Sequence, residues 1–316
     1  MVPALPPLSP FLTQKVKAMN RLTKSVLRLA YQAVPFKRQM FERVRHRVQL
    51  PETLYRHLHF RGPFRVPIAE SNGFWTHSDG AYVENGLFWA GLRGWEATSL
   101  QTWASLCRGQ SGLLLDIGAN TGSYSLLAGS VAPAARIVAF EPVPYNLTLL
   151  RRNLALNDFP VEVEAAAVTA RSGPVTLHDA SPGALNYSAS IEGQGEGAVT
   201  YEVAGVSLDA WLESAGDQSI GAVKIDVEGH EAAVLAGFRN AMAKHSCPIL
   251  IEVLDAVAAE ACEAQLQGLG YARFNILEGK GLVPAERLRA PQGQNWNWLL
   301  CTEADVEARG IRPLMA

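Results

Sequence analysis

The sequence predicts an α/β fold: a doubly wound, largely parallel sheet with helices on both faces. Two observations carry this. From residue 112 onward, short apolar runs alternate regularly with amphipathic stretches of helical length. The first of these runs, Leu113-Leu-Leu-Asp-Ile-Gly-Ala-Asn-Thr-Gly122, passes from three leucines and an acid straight into a glycine turn. An unbroken apolar run suits a strand covered on both faces. The text after it, Thr121-Gly-Ser-Tyr-Ser-Leu-Leu-Ala128, reads as a helix entered through a polar cap at Asn120 or Thr121. Strand, glycine turn and helix start together form a cradle: the backbone can approach a ligand closely, and unpaired N–H groups face it.

Four segments are expected. Residues 1–60 form a basic helical N-terminal extension, 61–111 an aromatic and glycine-rich cover, 112–302 the main domain, and 303–316 a C-terminal tail. The first twelve residues are rich in proline. Residues 13–48 have helical apolar spacing, interrupted at Pro35. Residues 1–50 hold ten Lys/Arg and one acid, whereas the whole chain has a net charge of −2. The stretch 13–48 is thus either a solvated helical extension or a basic amphipathic surface for an anionic membrane or an acidic partner. The body is acidic and carries no nucleic-acid-binding motif, so nucleic acid is not expected as a partner.

In the cover, Phe64-Arg-Val-Pro-Ile68, Gly73-Phe-Trp-Thr76 and Gly80-Ala-Tyr-Val83 read as short strands, and a helix is expected from about Glu96. In the main domain, strands are expected at 112–117, 136–141, 161–168, 220–227, 248–254, 271–276 and 296–301. Helices are expected at 121–131, 143–157, 230–243 and 256–268. Two β segments, 174–177 and 199–203, flank a glycine-rich loop, 181–197. Ser207-Leu-Asp-Ala-Trp-Leu212 reads as a capped helix. The four cysteines have no metal-binding spacing and suit reduced, structural thiols. No apolar run approaches the roughly 20 residues of a membrane helix, and the start lacks a signal peptide's pattern. A cytoplasmic location, with peripheral membrane contact as a variant, is the expectation.

Three constellations bear chemistry. The turn reads Asp116-x-Gly118-x-Asn120-x-Gly122 rather than the G-x-G-x-x-G of dinucleotide sites. An acid here suits a ligand with an amino group, which favours S-adenosylmethionine over NAD. Glu141, ending the next strand in Ala139-Phe-Glu-Pro142, lies 25 residues after Asp116. That is near the offset at which a strand-end acid meets ribose hydroxyls. Finally, Val223-Lys-Ile-Asp-Val-Glu-Gly-His-Glu231 ends a strand in Asp226, Glu228 and His230. Ligands sit beyond the carboxyl ends of strands in open α/β sheets, so these three groups should meet the cradle at one rim.

The stretches 115–125, 139–146 with Asn153-Leu-Ala-Leu-Asn157, Ser207-Leu-Asp209, 223–231 and Ile251-Glu252 together resemble the FkbM family of S-adenosylmethionine-dependent methyltransferases. The resemblance spans about 112–253, with a weaker echo from 74 to 110. It implies a class I methyltransferase fold of seven strands, the last antiparallel. It implies Asp116, Gly118, Asn120 and Gly122 around the methionine part of the cofactor, Glu141 on the ribose with Pro142 beside it, and O-methylation of a sugar, glycan or natural-product hydroxyl. The stretch Glu164-Ala-Ala-Ala-Val168 has no acid at its very end, so the adenine should meet backbone and alanine surface, Ala166 among it. Asn186 and Ser188 are candidate substrate contacts.

A hydroxyl is a poor nucleophile, so a base should take its proton, and His230 or Asp226 fills that role. Glu228 then orients His230 or binds a substrate hydroxyl. A second reading places a divalent cation across Asp226, Glu228 and Glu252. Two further functions stay open: a membrane-held cofactor-binding scaffold without catalysis, and an NAD-dependent oxidoreductase.

Overall fold

The computed structural model describes residues 36–68, 72–179, 189–191, 199–216, 218–293 and 295–309. The chain divides into two compact units, 1–48 and 49–316. The described part of the first contains helix α1 (Lys37–Arg45), with Arg43 and Arg45 in its last turn, where cations suit the helix dipole. Residues 1–35, most of the expected basic extension, lie outside the described residues, as do Asn186, Ser188 and the end of the C-terminal tail. Among the described residues no helix is long and apolar enough to cross a membrane.

The second unit begins with α2 (Glu52–Tyr55) and an antiparallel ribbon of β1 (Gly62–Pro67) and β2 (Gly73–Ser78). The strand expected at 80–83 is not formed. Those residues lead into helix α3 (Tyr82–Ala90). Tyr-Val has strand propensity, but tertiary contacts decide this segment. Asn85 is buried and accepts a hydrogen bond from Phe60 N while donating to Tyr55 O. Phe88 stacks on Phe60 with ring centroids 3.8 Å apart. Helix α4 (Ala97–Cys107) follows, close to its expected start.

From there the chain runs through β3 (Leu113–Ile117), α5 (Ser123–Val131), β4 (Arg136–Phe140), α6 (Pro144–Leu154) and β5 (Val161–Glu164). A second sheet then interrupts, made of β6 (Ala166–Val168), β7 (Gly173–Asp179), β8 (Ala189–Ser190) and β9 (Val199–Val206). Helix α7 (Leu208–Ala215) leads back to β10 (Ile220–Ile225), α8 (Glu231–Ala236), α9 (Arg239–His245), β11 (Ile249–Glu252) and α10 (Ala256–Leu266). The chain closes with β12 (Ala272–Leu277), β13 (Gly281–Ala285), β14 (Asn297–Cys301) and α11 (Glu303–Ala308).

The main sheet has the order β13-β12-β14-β11-β10-β3-β4-β5. β5, β4, β3, β10 and β11 are mutually parallel, and β14 runs antiparallel between β11 and β12. This is the expected class I methyltransferase arrangement, with β13 as an additional edge strand. All five residues of β3 and all six of β10 are buried, because helices cover both faces. One face packs Leu113, Leu115, Ile117, Val223, Ile225, Ile249 and Ile251 into one extensive apolar core cluster. The opposite face carries a row of register partners running Ala139, Asp116, Lys224, Leu250 and Leu299. Two charged residues thus sit side by side in the middle of an otherwise apolar row.

Three other expectations are refined. The single strand at 161–168 is two strands in different sheets. The helix at 230–243 is two helices, broken at Gly237, where a Cβ would meet Thr169 O at 2.3 Å. The tail begins with α11, whose Thr302 and Asp305 make a capping box.

Two motifs act as clamps. Asn153, fully buried on α6, accepts from His77 N and donates to Thr121 O. Asn157 pairs with both backbone groups of Trp75, in the manner of a neighbouring strand. Together they tie β2 to α6 and to the cradle turn. Ser207 caps its own helix, and Asp209 accepts from Asn240 N and Ala241 N at the start of α9.

Candidate active site

The sheet changes direction of winding between β3 and β10, and a cleft opens beyond the carboxyl ends of these strands and β4, the expected place for a ligand. It encloses about 630 Å³, its open mouth included. Of the residues singled out from the sequence, Gly118, Asn120, Glu141, Pro142, Ala166, Asp226 and Glu228 line it. Asp116, Gly122 and His230 do not. Asp116 is buried within β3, Gly122 packs against Leu150, and His230 is within hydrogen-bond distance of Thr169.

The cradle is held by its own acids. Gly118 has φ +78°, and a Cβ there would lie 1.8 Å from Asp226 O, so only glycine lets β3 and β10 close together at this point. Asn120 is also left-handed, at φ 52°, a conformation Asn tolerates better than most residues. Gly122 has φ +93°, and a Cβ there would meet Leu150 Cδ1 at 2.6 Å. Asp116 is 1% exposed; its Oδ2 accepts from Ser125 Oγ at 2.5 Å. Its Oδ1 and the Oδ1 of Asn120 are buried without a hydrogen-bond partner among the described residues. Two unpaired acceptors under one turn are costly to bury, and they suit a multivalent donor such as an ammonium group. Burial raises the Asp116 carboxyl above its ordinary range, opposed chiefly by Lys224.

Glu141 is 3% exposed at the end of β4. Its Oε2 accepts from Asn120 N at 2.8 Å, and its Oε1 from Val143 N at 2.9 Å and Asn146 Nδ2 at 3.4 Å. The carboxylate therefore fixes the cradle turn and still has lone pairs for a diol. Burial pushes it up to about 7 against those donors.

On the other rim, Lys224 Nζ donates to Asp226 Oδ2 at 2.7 Å and lies 4.7 Å from the centroid of the Tyr124 ring. Tyr124 in turn donates to Glu96 Oε2 at 2.6 Å. Burial works against the Lys224 charge, but Asp226, Asp116 and Glu96 outweigh it and hold the ammonium above its ordinary pKa. Burial and the neighbouring Asp226 push Glu228 up to about 7. Burial, then Asp226, Glu228 and Glu96, push Glu252 far up as well. Glu228 sits at φ 56°, in a turn closed by Glu231 Oε1, which accepts from Val227 N and Gly229 N. His230 Nε2 is 3.0 Å from Thr169 Oγ1.

The cation bridge of the second reading is not assembled: among the described residues, no group of three or more His, Cys, Asp or Glu is placed to hold a metal ion. Sequence reasoning missed Lys224, Tyr124, Asn146 and the apolar lining from the second sheet, Leu177 and Ile191. Lys224 carried a usable signal, being the one charged residue within the strand Ile220–Ile225.

Residues 116–271 match the methyltransferase FkbM domain. Among curated proteins, the chain is 31% identical to the methyltransferase sdnD of Sordaria araneosa over 39% of this chain and 59% of that protein. It is 31% identical to the hexuronic acid methyltransferase AglP of Haloferax volcanii, over 41% and 51%. It is 28% identical to the 2-O-methyltransferase NoeI of Sinorhizobium fredii, over 42% and 59%. The chain thus spans between half and three-fifths of the length of these relatives. Among solved structures, an FkbM methyltransferase from Methylobacillus flagellatus is similar with a TM-score of 0.39 at 16% identity, covering 60% of this chain and 43% of that one. The match over 116–271 takes in the cradle, Glu141 and the whole Asp226–Glu231 rim, so this stretch of the chain is similar to the methyltransferase FkbM domain.

Proposed function

We propose that the chain is an S-adenosylmethionine-dependent methyltransferase acting on a hydroxyl of a sugar, glycan or small natural product. The observation that carries this reading is the convergence of Asn120, Glu141 and Asp226 on one cleft. The unpaired Oδ1 atoms of Asp116 and Asn120 suit the cofactor's ammonium, and Glu141 suits its ribose. The apolar surface of Phe140, Val143, Ala166 and Val227 suits its adenine. Two of the three similar proteins are named for sugar-type or O-directed methylation, which supports a hydroxylated acceptor.

When bound, S-adenosylmethionine supplies an electrophilic methyl group. The chain's own residues align the acceptor and receive its proton. Asp226 is the residue we assign to this, because it lines the cleft with one oxygen fixed by Lys224. Its side chain is 24% exposed, so the carboxylate is within reach of an acceptor entering the cleft. Glu228, at the same rim, offers a second contact for an acceptor hydroxyl. His230, bonded to Thr169, supports the turn that carries them. The intact Asp116, Glu141 and Asp226 set speaks for catalysis over a non-catalytic scaffold. The acid and Asn120 in the cradle speak against NAD. The test is methyl-labelled S-adenosylmethionine with a panel of hydroxylated acceptors, including neutral sugars, uronic acids and lipid-linked glycans. Label appearing in an ether-linked methyl group supports the reading. Binding of the cofactor with no transfer to any acceptor favours the scaffold.

A further inference from the structure

Lys224 is 3% exposed, on the central strand of the sheet, with apolar neighbours along most of its row. A buried ammonium is unfavourable unless it is paired; here one carboxylate, Asp226, pairs it directly, and a second, Asp116, acts on it as a nearby opposite charge. Asp226 Oδ2 accepts its hydrogen bond at 2.7 Å. Asp116 is its direct register partner across the parallel β3–β10 pair, so both side chains rise from the same face of the sheet. The ring of Tyr124 closes the site from α5. Asp116 is also buried, with one oxygen on Ser125 and the other unpaired.

We propose that Lys224 is a positioning residue of the cofactor site, a buried cation that keeps Asp116 ionised for the cofactor's ammonium and fixes Asp226 at the rim. It joins the donor side of the cleft to the acceptor side through one charge. This rests on the reading of the cleft as an S-adenosylmethionine site and adds to it a residue that touches neither cofactor nor acceptor. Without the cation, the buried Asp116 carboxyl would keep its proton to a higher pH, and a neutral carboxyl is a poor partner for an ammonium. The other groups that face Asp116 are Ser125 and Cys107 from α5 and α4, Glu141 from the end of β4, and Asp226. Those acting on Lys224 besides Asp116 are Tyr124, Glu96, Asp226, Glu228 and Glu252. None of them replaces the positive charge.

The test is calorimetric titration of S-adenosylhomocysteine, which retains the amino-acid tail, into the full chain between about pH 6 and pH 9. Lys224→Met is expected to weaken binding by roughly tenfold or more at the low end, one pKa unit being a factor of ten, with recovery toward the high end. Asp116→Asn is expected to weaken it by a factor that changes little with pH, leaving the profile that Glu141 gives the wild type. In the Asp116→Asn background, adding Lys224→Met should cost less than about twofold, since the partner is already neutral. Lys224→Gln, which keeps a hydrogen-bond donor for Asp226 and folds without a buried charge, should move the pH profile as the Met variant does. Wild-type affinity in both Lys224 variants overturns the proposal. So does a loss that is independent of pH and equal in the two backgrounds, because that marks a merely structural role. A wild-type chain that binds no S-adenosylhomocysteine at any pH instead refutes the cofactor reading, and the proposal falls with it.

Discussion

Gly118 and Asp226 are in backbone contact across the two central strands: a Cβ on residue 118 would lie 1.8 Å from the Asp226 carbonyl oxygen. The cradle turn and the acidic rim are therefore placed by one close approach. Gly118→Ala must both adopt φ +78° and push the strand ends apart. The expected result is a loss of roughly 1–3 kcal/mol from backbone strain alone, together with loss of S-adenosylhomocysteine binding. Denaturant unfolding and calorimetry measure the two separately.

The Asn153 side chain bridges His77 N and Thr121 O and is fully buried. Asn153→Ala leaves both backbone groups without that partner, at a cost of about 1–3 kcal/mol for each group that stays unsatisfied. Asn157→Ala, at a more accessible position, removes the pairing with Trp75 and is expected to cost less. Urea midpoints of the two variants check the order; a larger loss at Asn157 would contradict the clamp as described.

Burial raises Glu141 and Glu228 from their ordinary 4.5 to about 7. The folded chain then holds protons that the unfolded chain releases between about pH 4.5 and 7. This contribution to stability is fully present below the unfolded value and is lost as pH rises through the folded one. For Glu141 it amounts to something on the order of 3 kcal/mol. The ligand-free chain is therefore expected to lose stability over that window, and Glu141→Gln should flatten part of the slope. Thermal or urea unfolding at a series of pH values measures it. A diol donating to Glu141 favours its ionised form, so cofactor affinity should rise over the same window.

Much of this arrangement was legible in the residues, and what was not has identifiable physical causes. The parallel strands announced themselves because burial on both faces demands unbroken apolar runs, as in Leu113–Ile117. Helix α3 was hidden because Tyr82 and Val83 favour strands locally, while the buried partners of Asn85 and Phe88 lie more than twenty residues away in sequence. Strand β13 was hidden by Pro284, which is tolerated because β13 is the edge of the sheet. At the site, the sequence brought Asn120, Glu141 and Asp226 to one rim but left Asp226 and His230 undivided. Only side-chain geometry separates them, since it turns His230 toward Thr169. Lys224 stood out as the one charge in a buried strand, but its role depends on Asp116 standing opposite it on the neighbouring strand, which only the register shows.

That separation gives a kinetic prediction. If Asp226 receives the acceptor's proton, Asp226→Asn should lower methyl transfer by about 10²–10⁴-fold with cofactor affinity less affected. His230→Ala should retain most of the rate. Initial rates of S-adenosylhomocysteine release, measured on the acceptor found by label transfer, decide between them. The reverse order would make His230 the base.

Glu141 and Asp116 are assigned to opposite ends of one cofactor, its ribose and its ammonium. Calorimetric titration of S-adenosylhomocysteine into the wild-type chain, Glu141→Ala and Asp116→Asn tests this most directly. The expected result is one site per chain in the wild type, with affinity reduced at least about tenfold in each variant, about 1.4 kcal/mol or more. No binding by the wild type, or variants that bind as tightly as it does, would contradict the account.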